Sequence, residues 1–181
     1  LSGAPGFRPS AGEELEVLEA LAKLHPRDVL EAVLLGLPHG RFLHVLHLER
    51  WQALVANVPT QIVQALALEH SQDRLRKFGH LVPQPTVTSA SEPVLHPTTL
   101  WYLRKFGMDD ECGEQFWYGR PEGRGRFISP DGIDVSSDTL IAAFSEHPEL
   151  VVRLWADRLR RWRQRDKRES VEMMADIHFR R

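Results

Sequence analysis

The stretch PRDVLEAVLLGLP, residues 26–38, gives the clearest indication of the fold class. Its apolar residues fall on nearly every side of a helix, while Pro26 suits the first helical turn and Gly36 and Pro38 stop the helix. A helix that is apolar nearly all round has to be buried by its neighbours. The stretch therefore predicts a buried helix inside an α-helical array.

Helical periodicity continues on both sides of this stretch. Toward the N-terminus, Leu15, Leu18, Leu21, Ala22 and Leu24 form one apolar stripe behind an acidic first turn, which suits a helix start. Toward the C-terminus, apolar residues recur at helical spacing as far as Phe78, with Pro59 between two helices and Thr60 as an N-cap residue. We therefore expect a compact antiparallel or stacked helical array over residues 13–79, after a flexible segment at 1–12.

Residues 80–96 break this pattern. Four prolines occur between positions 83 and 97, together with a small polar run at 86–91. Such a composition predicts a Pro-rich linker or surface loop and a domain or subdomain boundary. A short helix is expected directly after it, over Pro97–Phe106.

The remainder, residues 97–181, adds a β-ribbon and further helices. Aromatic and β-branched residues separated by Gly-containing turns predict two or three short strands at about 114–136. Ser136–Asp138 can cap a helix over about 139–146, and Pro148 precedes a long helix that runs to about Asp176. The predicted fold class is mainly α: a compact helical array with a small inserted β-ribbon and a long C-terminal helix.

One pentapeptide, LRKFG, occurs at residues 75–79 and again at 103–107. Cations in a last helical turn complement the helix dipole, and glycine supplies a left-handed residue after the helix. Because the flanking residues differ, we interpret the repeat as two similar helix ends. Both helices are expected to stop at their glycine.

Composition excludes several classes of protein. The 23 basic and 25 acidic residues give a net charge of −2, so no global electrostatic signature exists. The single cysteine, Cys112, excludes an internal disulfide framework, fits a reducing, cytoplasmic compartment, and lies among carboxylates that disfavour a reactive thiolate. The uncharged run 51–68 contains Pro59 and several amides, so no membrane span is predicted.

Neither a cofactor nor a metal is predicted. His44 and His47 would share a helix face, but His39 precedes that helix and no carboxylate completes the set. The chain contains no phosphate-binding loop, dinucleotide fingerprint, nucleophile elbow or zinc-protease helix. We therefore expect a protein that is not an enzyme, although a site assembled around residues 116–126 stays open as a third hypothesis.

The strongest charge feature is the last helix. Residues 153–168 contain eight basic and two acidic residues, a local net charge of +6, so the rest of the chain carries −8. Trp155 and Trp162 belong to an apolar stripe that docks the helix, and a basic amphipathic helix is typical of surfaces that bind acidic proteins, nucleic acids or acidic membranes. Pairing with the chain's own acidic segments, 13–19 or 109–114, is the alternative. The predicted contact residues are Trp155, Arg158, Arg161, Trp162, Arg163 and Arg165.

A second group of arginines lies in RPEGRGR, residues 120–126, beside the aromatic triplet 116–118. Arginines in a Gly-rich turn near aromatic strands can contact phosphate or stack on bases, so Arg120, Arg124 and Arg126 join the predicted contact residues. The spacing of Arg120, Arg124 and residues 134–136 resembles the pattern of the c-di-GMP-binding PilZ family. Thr139 stands where that pattern needs glycine, and the helical remainder does not suit a β-barrel.

Residues 24–69 resemble the short-helix stacks of the flagellar rotor switch protein and of magnesium-channel cytosolic domains. Those families likewise place His-Pro before a helix and Leu-Pro at its end, as residues 25–26 and 37–38 do here. The resemblance covers about a quarter of the chain, so we assign no residue roles from it.

Together these features lead to two hypotheses. The first is a non-enzymatic helical protein–protein interaction module, an adaptor or subunit of a larger assembly. The alternative is a regulatory protein that binds nucleic acid through the basic helix and the Arg-Gly turn. Salt dependence separates the two, because phosphate contacts release counterions.

Overall fold

The computed structural model describes residues 11–36, 48–88, 90–107, 109, 126–128 and 134–179. Within these ranges the protein is mainly α-helical, with strands confined to two short antiparallel pairs. The predicted fold class is confirmed. Residues 1–10, 37–47 and 110–125 lie outside the described residues. Predictions about these residues stay predictions.

Five helices form the N-terminal half. They are α1 (Ala11–Ala22), α2 (Pro26–Gly36), α3 (Leu48–Ala56), α4 (Thr60–Glu69) and α5 (Gln72–Phe78), followed by a 3-10 turn at Gly79–Leu81. The helix α2 packs against α1, α4 and α5. Its side chains Val29, Leu30, Val33 and Leu34 are buried, as the opening stretch predicts. Leu35 points to solvent, so the burial covers most of the helix surface and not all of it.

Two details of this half differ from the sequence-based expectation. Residues 60–78 form two helices because Ser71 accepts a hydrogen bond from the backbone N–H of Arg74, 3.4 Å away, and starts a new helix. The predicted capping role of Thr60 is wrong: Pro59 is the N-cap and no side chain caps α4. The hydroxyl of Thr60 instead hydrogen-bonds the hydroxyl of Thr98 at 3.0 Å, which links α4 to the helix that begins at Pro97.

Residues 80–96 contain a hairpin of two-residue strands, β1 (Thr86–Val87) and β2 (Pro93–Val94). The strands are antiparallel, with Thr86 opposite Val94. Val82, Pro83, Pro85 and Val87 are buried, so part of this Pro-rich segment packs onto the helices. The domain boundary proposed here stays a prediction.

The C-terminal half contains α6 (Pro97–Phe106), β3 (Arg126–Ile128), β4 (Asp134–Ser136), α7 (Ser137–Ser145) and α8 (Leu150–Phe179). The strands β3 and β4 are antiparallel, with Phe127 opposite Val135. The hydroxyl of Ser136 accepts a hydrogen bond from the N–H of Thr139, which is the predicted cap of α7. The helix α8 packs against α7 and α6.

Both LRKFG helices stop at their glycine, as expected: α5 ends before Gly79 and α6 before Gly107. The predicted left-handed conformation is wrong, because the φ angles are −52° and −61°, in the right-handed helical region. Close packing accounts for Gly79 instead, since a Cβ there would overlap the phenol ring of Tyr102. Buried apolar side chains from α2 to α8 then form one hydrophobic cluster.

Candidate interaction surface

Two tryptophans dock α8 against the rest of the protein. Trp155 is 2% exposed and Trp162 is 7% exposed. The ring of Trp155 meets the ring of Phe144 in α7 edge to face, with the centroids 5.6 Å apart. Val152, Ala156 and Leu159 complete the buried stripe at helical spacing. The expected anchoring is confirmed, and the same burial removes both rings from the surface that a partner can touch.

Arg153 and Arg158 of α8 donate to backbone carbonyl groups. The Nη1 atom of Arg153 lies 2.8 Å from the carbonyl oxygens of both His147 and Pro148. The Nη1 atom of Arg158 lies 2.9 Å from the carbonyl oxygen of Gly107, just after α6. A cation at a helix C-terminus satisfies an orphan carbonyl and complements the helix dipole. These two arginines therefore help to hold α8 in place through backbone groups of the loop before it and of the end of α6.

Arg160 and Arg163 form ion pairs with carboxylates of the same chain. Arg160 pairs with Asp157 one turn earlier and donates to the hydroxyl of Ser145 at 2.6 Å. The Nη2 atom of Arg163 lies 3.0 Å from Asp138 at the start of α7. Arg163 is therefore engaged at the contact between α7 and α8, and its Nη1 atom is buried.

The remaining arginines of this segment face solvent along one line. Arg161, Arg165 and Arg168 are exposed. Their spacings of four and three residues place them on one helix face, about 10 Å from first to last. This face lies opposite the buried stripe. We call these three residues the outer arginine stripe.

Two of the carboxylates that the sequence offered as internal partners of α8 have arginine partners on other helices. Glu19 in α1 forms a two-point contact with Arg50 in α3, at 3.1 and 2.8 Å. The hydrogen bond to Glu19, and to a smaller extent the attraction of its charge, raises the pKa of Arg50. Asp109 lies 3.1 Å from the Nε atom of Arg76 in α5. Two acidic partners of α8 arginines, Asp138 and Asp157, lie outside the two segments that the sequence offered.

Most of the second predicted group of contact residues lies outside the described residues. Arg120 and Arg124 lie outside the described residues, and Arg126 is the first residue of β3, opposite Ser136. The hypothesis of a site around residues 116–126 therefore stays a hypothesis. His39, His44 and His47 lie outside the described residues as well. Among the described side chains no three of His, Cys, Asp and Glu come together as a metal site would require.

An open groove of about 570 Å³ lies between α1, α3 and the starts of α2 and α4. Ala22, Pro26, Leu54 and Pro59 supply much of its apolar lining, and Glu19, Lys23 and Asn57 are its charged or polar groups. The carboxylate of Glu19 in this groove is paired with Arg50. Sequence reasoning did not indicate this groove.

Histidine side chains have a structural role that the sequence analysis missed. The Nδ1 atom of His96 accepts the N–H of Thr98 at 3.2 Å, and its Nε2 atom bonds the carbonyl oxygen of Ala56 at 3.1 Å. The Nδ1 atom of His147 likewise accepts the N–H of Glu149 at 3.1 Å. Each histidine precedes a proline at a helix start, so the repeated His-Pro pair was the available signal.

Comparison with known proteins adds no relative. No protein-family model, curated protein or solved structure matches the chain. Among the described residues, no helix combines the length and apolar character that crossing a membrane requires.

Proposed function

We propose that this protein is a non-enzymatic helical interaction module, an adaptor or subunit whose outer arginine stripe binds an acidic surface of a partner protein. The observation that supports this proposal most is that the arginines of α8 fall into two groups, one in contact with the rest of the fold and one exposed. Four arginines contact parts of the fold outside α8: Arg153, Arg158, Arg160 and Arg163. In contrast, Arg161 and Arg168 are exposed, and neither has an ion-pair partner among the described residues. Arg161 and Arg168 thus carry charge that pairs with no carboxylate among the described residues.

A protein partner suits this surface better than a nucleic acid. Proteins that bind single strands combine cations with exposed aromatic rings on which bases stack. Both tryptophans of the described part of α8 are buried, and the outer stripe carries no aromatic side chain. Arginine forks bind carboxylates in two-point geometry, so the exposed arginines can pair with Asp and Glu side chains of a partner protein.

The test compares two variants of the full chain that lose the same charge. One is Arg161→Gln with Arg168→Gln, on the outer stripe. The control is Lys77→Gln with Lys105→Gln, on exposed lysines in the last turns of α5 and α6. Proteins captured from the source cell's extract are quantified for wild type and both variants.

We expect a partner that wild type and the control capture equally and that the stripe variant loses by at least about tenfold, the effect of about 1.4 kcal/mol. Equal capture by both variants would overturn the proposal. A fluorescent DNA duplex and single strand serve as probes in parallel. Binding of either that weakens steeply with added salt, and only through the outer stripe, would establish the nucleic-acid function instead.

A further inference from the structure

The helix α1 carries apolar residues on two opposite faces. Leu18 and Ala22 pack against the core. On the other side Val17 is 58% exposed, Leu21 42% exposed and Leu24, just after the helix, 75% exposed. The spacings of four and three residues place these side chains in one line, with exposed Ala20 beside them. We call Val17, Ala20, Leu21 and Leu24 the outer α1 face.

Two charged residues flank this face on the same side. Glu16 lies in α1, and Lys23 lies in the turn directly after it, where the His25 N–H bonds the Leu21 carbonyl oxygen at 2.7 Å as in a further helical turn. The two residues are seven apart, so they lie nearly one above the other, and both are exposed. Lys23 has no ion-pair partner among the described residues. The helix is therefore polarised, with a carboxylate near one end of the apolar line and an ammonium near the other.

This arrangement is complementary to itself. When two identical helices pack antiparallel about a twofold axis, residues on the same flank of each helix face each other. An axis near Ala20 sets Glu16 of one copy opposite Lys23 of the other, and the reverse pair forms by symmetry. The same axis brings Val17 of each copy toward Leu24 of the other, and the small Ala20 lets the helices approach closely.

We propose that the outer α1 face is a dimerisation surface that docks antiparallel on the same face of a second copy of this chain. The contact is isologous, so it closes at two copies. The outer arginine stripe of a second copy fits the face less well, because it would set guanidinium groups against leucines. Four apolar residues per copy cover less area than a standard interface of roughly 1,600 Å², so the dimer forms in the micromolar range or weaker.

Sedimentation equilibrium of the full chain, from micromolar to near-millimolar concentration, tests this proposal. Wild type should fit a monomer–dimer equilibrium. Leu21→Glu should remain monomeric throughout. Leu150→Glu, at a residue of α8 that is 59% exposed, is the matched control and should dimerise as wild type does. The melting temperature and helical circular dichroism of each variant show that folding is preserved.

Charge exchange tests the antiparallel register. Glu16→Lys alone and Lys23→Glu alone each place like charges opposite each other and should weaken the dimer by about tenfold. The double variant restores both pairs with reversed sign and should regain wild-type affinity to within about threefold. A monomer at every concentration, growth beyond two copies, a dimer that survives Leu21→Glu, or a double variant that stays weak would overturn the proposal.

Discussion

The phenol of Tyr102 donates a hydrogen bond to the backbone carbonyl oxygen of Arg76, with an oxygen–oxygen distance of 2.9 Å. Tyr102 belongs to α6 and Arg76 to the last turn of α5, so one side chain ties together the helices that end in the two LRKFG segments. Tyr102 is buried and its ring covers Gly79, which leaves no room for a Cβ there. The first glycine of the repeat is therefore fixed by tertiary packing.

Replacing Gly79 by alanine should destabilise the protein. The backbone of Gly79 is right-handed, where alanine normally stabilises by about 0.4–1 kcal/mol through the unfolded chain. Here the new methyl group overlaps the Tyr102 ring, so we expect a loss of about 1–3 kcal/mol in the free energy of unfolding. Urea titration of Gly79→Ala measures this. A variant at least as stable as wild type would contradict the packing argument.

Replacing Tyr102 by phenylalanine should also destabilise the protein, by about 1–2 kcal/mol, because the Arg76 carbonyl group loses its donor. The phenol oxygen is the atom closest to a Cβ on Gly79. The cost of Gly79→Ala should therefore be smaller in the Tyr102→Phe background than in wild type. A double-mutant cycle measures this coupling, and additive costs would show that the two residues act independently.

Sequence reasoning succeeded where the signal is local. Pro97 at a helix start and Gly107 after its end gave the bounds of α6, and the cap of α7 at Ser136 followed from the residue type. It failed where a hydroxyl had a choice of partners: Ser71 starts a new helix, while Thr60 bonds Thr98 across the fold. A hairpin of two-residue strands is too short for alternation to reveal.

The candidate surface was also predictable only in part, because the sequence does not show which partner a polar side chain will bind. Apolar spacing identified Trp155 and Trp162 as the anchors of the last helix, and both are buried. The sequence could not separate Arg158 from Arg161, since the acceptor of Arg158 is a backbone carbonyl group 51 residues away. Every residue has such a group, so composition gives no sign of which arginines it will engage.

Protonation of His96 should lower the free energy of unfolding in mild acid. Burial lowers the pKa of His96, and the hydrogen bond to Ala56 offsets this only in part. The unfolded chain, whose histidine pKa is about 6.5, therefore binds the proton first as the pH falls. The stability contribution of His96 is present above that value and is lost as the pH drops through about 6.5 toward the lower folded pKa. Urea titrations at a series of pH values measure this loss.

The variant His96→Asn tests the assignment. Asparagine is a good helix N-cap residue but cannot reach the Ala56 carbonyl group in the same way, so we expect a cost of about 1 kcal/mol at neutral pH. The difference between wild type and variant should narrow in acid. Burial also lowers the pKa of His80, so some pH dependence should remain in the variant. Parallel pH profiles would show that His96 does not titrate as described.

Truncating Trp155 should lower the free energy of unfolding more than truncating an exposed residue of the same helix. Trp155 is buried against Phe144, so Trp155→Ala removes a large apolar contact and leaves a cavity, at a cost of about 3–5 kcal/mol. Leu150→Ala, at an exposed position, should stay within about 0.5 kcal/mol of wild type. Thermal unfolding of the two variants gives the comparison, and similar costs would mean that α8 is not anchored through Trp155.

Arg158 and Arg161 should separate stability from partner binding. Arg158→Met keeps the apolar stem but removes the donor to the Gly107 carbonyl group, so we expect about 1–2 kcal/mol of destabilisation and near-normal partner capture. Arg161→Met changes an exposed residue, so stability should stay within about 0.5 kcal/mol while partner capture falls. Unfolding and capture are measured on the same preparations. The reverse pattern would place the contact surface on the side of α8 that faces α6.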